Sequence, residues 1–200
     1  MCGRYYVNDN TFKEIEKMVH QIDGKFRIEK NNMLNFQVKD ICPTDIVPVL
    51  AADNRNVTFK MQRWGFPGFQ GTQVIFNARS ESALEKKMFR ESTLLRRIVV
   101  PAAGFYEWSR SKEKNIFRSK KQPVLFMAGI YNRYRDEDRF VILTTEANES
   151  MLPVHDRMPV ILEPEEIMSW IFNDAETGQM LRKIPCLLER SVEFEQMCLF

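Results

Sequence analysis

Val124-Leu-Phe-Met-Ala-Gly-Ile-Tyr-Asn-Arg-Tyr-Arg-Asp-Glu-Asp-Arg-Phe-Val-Ile-Leu-Thr-Thr145 is the stretch on which the fold turns. Two apolar runs, Val124–Tyr131 and Phe140–Thr145, flank a charged connection, and both read as strands. Outward from there, the same signals recur at Ile98–Trp108, Pro159–Leu162, Ile46–Ala51, Val57–Trp64 and Cys2–Val7. Between Val57 and Gln62 the alternation is strict, with Val57, Phe59 and Met61 against Thr58, Lys60 and Gln62. Helix signals are fewer. Thr11-Phe-Lys-Glu14 is a capping box, with Phe12, Ile15, Val19 and Ile22 on one face. A second helix is expected over Glu81–Glu91, and Pro164-Glu-Glu opens a third. Asp23–Thr44 is polar and irregular, and Trp64-Gly-Phe-Pro-Gly-Phe69 is a turn-rich aromatic loop. The strands follow one another through hairpins or long loops rather than alternating with helices. That order predicts a largely antiparallel α+β fold.

Composition bounds the class. A chain of 200 residues with 44% apolar and 28% charged residues fits one globular domain spanning 1–200, with a core of its own. No linker, low-complexity tract or repeat interrupts it. No apolar run is long enough to cross a bilayer, so no membrane association is expected. Asp9, Glu14 and Glu16 stand where a secretory leader would need an apolar segment, which argues for a cytoplasmic protein. Cys2, Cys42, Cys186 and Cys198 lack Cys-x-x-Cys spacing and share the chain with only two histidines. Neither a zinc site nor a disulfide framework is expected, and no metal or cofactor. The net charge of +2 says little about partners.

Chemistry concentrates in four places. The chain opens Met1-Cys2-Gly3-Arg4, and excision of Met1 before a small residue would leave Cys2 with a free α-amine beside its thiol. The amine, with a reference pKa of about 7.7–8.0, condenses with aldehydes near neutrality. The thiol then closes on the imine carbon to a thiazolidine, helped by the short tether. Alternatively the thiolate attacks a carbonyl with the amine as its base. An incidental cysteine is the plain alternative. Phe76-Asn77-Ala78-Arg79-Ser80-Glu81 ends an apolar strand in an amide, a guanidinium and a carboxylate; a helix start capped by Ser80 explains it equally well. Gly104-Phe105-Tyr106-Glu107-Trp108 sets a carboxylate among aromatics, which suits an acid/base group or a solvent-facing strand residue. Pro153-Val154-His155-Asp156-Arg157-Met158-Pro159 carries a histidine that is either structural or a proton carrier. His20, on the first helix, reads as bland.

Taken together, Cys2-Gly3-Arg4, Asn77-Ala78-Arg79-Ser80-Glu81, Phe105-Tyr106-Glu107-Trp108 and His155-Asp156-Arg157-Met158-Pro159 occur in the order and rough spacing of one family. The chain resembles the SRAP family, the SOS response-associated peptidases, from Cys2 to about Trp170. Ile41-Cys42-Pro43-Thr44 also resembles the family's Ala-Pro-Thr turn, with Cys42 in place of Ala. The resemblance implies a mostly antiparallel, open barrel-like β core with flanking helices. It implies a monomer that captures abasic sites in single-stranded DNA through a thiazolidine on Cys2, in the DNA damage response, and that associates with replication-fork proteins. It assigns the chemistry to Cys2, Asn77, Glu107 and His155: Asn77 positions the amine and the sugar hydroxyl, Glu107 serves as acid/base, and His155 moves protons. It implies an autopeptidase activity from the same nucleophile and base.

The implied DNA surface holds Arg4, Pro43, Phe69, Arg79, Lys87, Trp108 and Arg157. Arg79 and Arg157 would hold phosphates through their bidentate forks. Arg110 to Lys121 is strongly basic, either a solvated hairpin or a phosphate track. Departures from the family pattern are visible. Pro67-Gly68-Phe69-Gln70 replaces a Trp-containing segment, which leaves stacking to Phe69. Lys87 stands where relatives carry Arg, a point charge in place of a fork. The tail Ser191–Phe200 lacks the family's Val-Asn pattern. Two other readings belong to different classes. A Met-Cys-Gly start also resembles class II glutamine amidotransferases, which a glutaminase assay separates. A non-covalent single-strand binder would leave no heat-stable adduct with abasic DNA.

Overall fold

The computed structural model describes residues 3–8, 11, 13–15, 17, 39–68 and 73–193. Cys2, Phe69, His20 and the tail beyond 193 lie outside the described residues. The two runs quoted above form the longest hairpin. β11 (Leu125–Tyr134) and β12 (Glu137–Glu146) pair from Gly129↔Ile142 to Tyr134↔Glu137. A second hairpin joins β3 (Ile46–Asp53) to β4 (Asn56–Trp64), its turn helped by Asn54 in the left-handed region (φ 55°). With β8 (Arg97–Ala102), these strands close a five-stranded barrel in the order β12-β4-β3-β8-β11 and back to β12. Closure depends on a parallel pairing of β4 and β12, Phe140↔Trp64, an exception to the antiparallel expectation. Gly65 makes the turn that follows at φ 114° and donates to Phe140 O at 2.7 Å. A Cβ there would sit 2.2 Å from Val74 Cγ1, so both conformation and space require glycine. Beyond the turn, β5 (Phe66–Pro67) pairs with β6 (Val74–Ile75), and β14 (Ile161–Leu162) adds to the outer edge of β11.

A second, antiparallel sheet packs on the first in the order β15-β10-β9-β1-β2. Its strands are β1 (Arg4–Val7), β2 (Lys39–Ile41), β9 (Gly104–Trp108), β10 (Lys114–Ser119) and β15 (Leu188–Glu193). Alternate residues of the barrel strands divide between two apolar clusters. Ile98, Met127, Phe140 and Ile142 meet Tyr5, Phe105 and Phe117 of the second sheet. Val99, Phe126, Val141 and Leu143 meet Phe89, Ile167 and Trp170 of the helical layer. Because β4 lies between both clusters, its strict alternation misleads: Gln62 is buried and Met61 is exposed.

Residues 11, 13–15 and 17 are helical, where the Thr11 capping box predicts the first helix; among the described residues the later helices are α1 (Lys87–Leu95), α2 (Ile167–Phe172) and α3 (Thr177–Met180). A helical segment opens at Pro164, as its sequence predicts, and Glu163 and Glu166 form a capping box there, ahead of α2. The helix expected over Glu81–Glu91 is corrected: a 3₁₀ turn covers Ser80–Ser82 and the α-helix starts only at Lys87. Ser80 does not cap a helix, and the Glu81 carboxylate is engaged elsewhere in the fold. Buried Arg97 ties the layers together. It donates to the carbonyls of Thr93, Leu94, Trp170 and Ile171 and pairs with Asp174 at 2.6 Å. No described helix is long and apolar enough to cross a membrane.

Candidate functional site

β12 is the element that gathers the site. Past the barrel, its end carries β7 (Asn77–Arg79) on one edge, parallel, with Ile142↔Asn77 and Thr144↔Arg79. Its other edge carries β13 (Arg157–Pro159), antiparallel, with Thr144↔Pro159 and Glu146↔Arg157. Thr144 is therefore flanked by Arg79 and Pro159, and two segments far apart in the chain meet across one strand. Trp64 sets the third direction. Its indole N–H donates to Phe76 O at 2.8 Å, and its ring lies 6.0 Å from Phe76 and 5.2 Å from Tyr5 of β1. The start of β1 is thereby packed towards the residue that precedes Asn77.

Asn77 and Arg79 open onto a cavity of about 500 Å³ that Lys86 and Lys87 also line, over Ile75 and Met88. Arg79, Lys86 and Lys87 are exposed, so three cations surround one concave surface beside Asn77. Lys87 reaches it as the first residue of α1.

His155 ends a tight loop whose shape Asn148 holds. Asn148 accepts from Ser150 N at 3.0 Å and donates to Pro185 O and Cys186 O at 2.9 and 3.0 Å. His155 Nδ1 accepts from the Arg157 backbone N–H at 2.9 Å, which leaves the proton of the neutral ring on Nε2. Asp156 Oδ1 lies 2.9 Å from the same Nδ1 and would stabilise it once protonated. One ring nitrogen thus has a partner for each protonation state, the arrangement a proton carrier needs.

Arg157 corrects an expectation. Rather than offering its fork to a phosphate, it is 8% exposed and donates both Nη groups to Glu81, at 2.6 and 2.9 Å. Nη2 also donates to Thr144 O at 2.7 Å. Burial alone would push the Glu81 carboxyl up. The hydrogen bonds from Arg157 and from its own backbone, with the charges of Arg157 and Arg79, together hold it below its ordinary value. Arg157 is therefore a clamp between the Ser80–Ser82 turn and β13, and it orients His155 through its backbone N–H.

Glu107 lies on β9 between β1 and β10, buried, with Asn115 opposite and Arg4 paired to the preceding Tyr106. Its neighbour Trp108 faces outward under the Arg4 guanidinium, 5.4 Å from the ring centroid. Trp108 and His155 line one cleft of about 840 Å³. Arg4 also lies 3.8 Å from Asp40, which accepts from Tyr106 Oη at 3.0 Å. Pro43 occupies a type II-like turn with Thr44 at φ 84° and Asp45 N–H bonded to Cys42 O at 3.1 Å. A β-branched residue in that region is strained.

The structure brings Asn77, Arg79 and Lys87 together around one cavity, and Trp108 and His155 around another. Sequence reading missed Glu81 as the partner of Arg157, Lys86 in the cationic rim, and Arg190, which also lines the larger cleft. The apolar Leu188 and Val192, two residues to either side of Arg190, were the available strand signal.

A family model described as SOS response associated peptidase (SRAP) matches residues 1–196. Abasic site processing protein YoaM of Bacillus subtilis is 30% identical over 192 residues, covering 86% of this chain and 79% of that protein. Abasic site processing protein YedK of Escherichia coli is 26% identical over 180 residues, covering 86% and 79%. Among solved structures, a protein from Bacteroides thetaiotaomicron superposes with a TM-score of 0.78 at 21% identity, covering 97% of this chain and 93% of that one. A phage-related protein from Bordetella bronchiseptica superposes at 0.76 and 21%, covering 96% and 94%. These last two likenesses speak to the fold.

Proposed function

The chain belongs to the SRAP family of SOS response associated peptidases, and from that premise we propose that it processes abasic sites in single-stranded DNA by a covalent crosslink to Cys2. The relatives' shared description as abasic site processing proteins supports the substrate class. The observation that supports the reading is that Asn77 opens onto the cavity ringed by Arg79, Lys86 and Lys87, while His155 shares a cleft with Trp108, the neighbour of Glu107. The aldehyde form of an abasic sugar is the electrophile. Once Met1 is removed, the α-amine of Cys2 adds to C1′ and water leaves, giving an imine. The thiol then adds across the C=N bond, its proton passing to nitrogen, and closes the thiazolidine.

Three groups serve this sequence. Glu107 takes the proton from the C1′ hydroxyl as the sugar ring opens and returns one as water departs. His155 Nε2–H donates towards the reacting oxygen, and Asp156 holds the protonated ring. Asn77 orients the sugar by its amide. Arg79, Lys86 and Lys87 attract the backbone phosphates. The same nucleophile and base would cut a peptide preceding Cys2, whose α-nitrogen is then the leaving amine, the activity in the family's name. The test is a denaturing gel after mixing with an oligonucleotide carrying one abasic site. A band that survives boiling is expected for the processed protein and not for Cys2→Ala. An equal band from Cys2→Ala would overturn the assignment.

A further inference from the structure

The Asn148 side chain fills every hydrogen-bonding position that an amide has. Oδ1 accepts from Ser150 N at 3.0 Å and from Ser150 Oγ at 2.6 Å, and Nδ2 donates to Pro185 O at 2.9 Å and to Cys186 O at 3.0 Å. This pattern fixes the amide's orientation, because a flipped group would set its oxygen against two carbonyls. It also selects asparagine, since aspartate would keep the acceptor half and lose both donors. The backbone adds a third attachment, with Asn148 N–H donating to Met158 Sδ of β13 at 3.3 Å. One residue thus joins the loop before His155, β13 and the segment that enters β15. Leu188 N, at the start of β15, closes a further bond onto the same loop at Ser150 Oγ, 3.1 Å.

From Asn148 the order runs to His155 in two steps. Met151 N and Leu152 N donate to Asn148 O at 3.0 and 2.9 Å, and Val154 N and His155 N donate to Met151 O at 2.9 and 3.1 Å. Side-chain packing holds only part of the loop: Met151 and Val154 are buried, but Leu152 is 61% exposed. The backbone of the histidine therefore hangs on Met151, and that of Met151 on Asn148. The end of the loop carries His155 Nδ1 to 2.9 Å from the Arg157 N–H, the contact that leaves the neutral ring's proton on Nε2.

We propose that Asn148 is a positioning residue for crosslinking: by bonding the loop to Pro185 and Cys186 it fixes the tautomer and the aim of His155. The inference rests on the abasic-site reading above, in which His155 moves the proton. A proton donor displaced by about 1 Å loses on the order of 10²-fold in its effect on a bound electrophile.

The experiment uses Asn148→Asp, which keeps both contacts to Ser150 and sets a carboxylate against the carbonyls of Pro185 and Cys186. The first readout is the rate of heat-stable crosslinking to an oligonucleotide carrying one abasic site. The second is binding, by fluorescence anisotropy, to the same oligonucleotide with a tetrahydrofuran spacer, which has no aldehyde. The third is the tautomer of the His155 ring, from its nitrogen NMR shifts; the chain has two histidines, and His20→Gln leaves one. Crosslinking should slow by about 10- to 100-fold, with spacer affinity within twofold of wild type and the single Nε2–H tautomer lost. Ser150→Ala, which removes one hydroxyl from the same attachment, should slow crosslinking by about threefold. It decides the matter if Asn148→Asp does not fold, and a wild-type rate for it would then overturn the proposal. For a folded Asn148→Asp, a wild-type crosslinking rate or an unchanged tautomer would overturn it. So would a spacer affinity that falls with the rate, the mark of a general loss of structure. If the tautomer changes in the variant while the wild type itself forms no heat-stable adduct, the Asn148 assignment stands and the crosslinking reading fails.

Discussion

At the scale of single residues, removing the thiol and removing a phosphate ligand have opposite signatures. Cys2→Ala keeps the amine, so it should still give an adduct trapped by borohydride and bind abasic DNA normally, yet form no heat-stable crosslink. Arg79→Ala should weaken binding and lower the salt slope by about 0.7 for each single-strand phosphate it no longer neutralises. Arg157→Ala should behave differently. Its fork is committed to Glu81 and Thr144, so the salt slope should stay at the wild-type value while crosslinking slows through a misplaced His155. A shallower slope for that variant, read from anisotropy titrations in increasing salt, would return Arg157 to the DNA surface. Glu107→Gln should slow imine formation by roughly 10²–10⁴-fold, the usual worth of a general acid/base.

At the scale of elements, two devices hold the layers that present the site. Arg97 supplies hydrogen bonds to the ends of α1 and α2. Arg97→Met should leave several carbonyls without donors and cost about 3 kcal/mol in urea unfolding. Gly65→Ala should also destabilise, by about 2 kcal/mol or more. The new methyl would overlap Val74 in a left-handed conformation, straining the turn that follows the β4–β12 closure. An Ala variant with unchanged midpoint would show that the β5–β6 ribbon yields freely.

At the scale of the whole molecule, the Glu81–Arg157 pair makes part of the stability depend on pH. The Glu81 carboxyl is lowered in the folded state, so its contribution is complete above the unfolded carboxylate value, about 4.3. It is lost as pH falls through the lower folded value. Wild type should therefore melt above Glu81→Gln at pH 6, and the two should converge as the solution is acidified towards pH 3, checked by circular dichroism. A constant gap would mean that the pair contributes no ionic stabilisation.

What the sequence by itself determined was local. Strand runs such as Phe140–Thr145, the Pro164 helix entry and the four chemical segments are written in side-chain type, spacing and φ preference, which act between near neighbours. The helix start at Lys87 was not legible, because Glu81 forsakes the helix for an arginine 76 positions away. The burial of Gln62 was not legible either, since alternation assumes that the polar face is wet and here that face packs with Trp64 in the second cluster. Only the tertiary structure decided which arginine keeps its outer nitrogens open. Arg157 and Arg190 look alike as residues, but β12 delivers Glu81 to the first while buried Asn115 takes the second by one edge. The fate of a guanidinium depends on which oxygens the fold brings within about 3 Å, and those oxygens come from segments that the chain order keeps far apart.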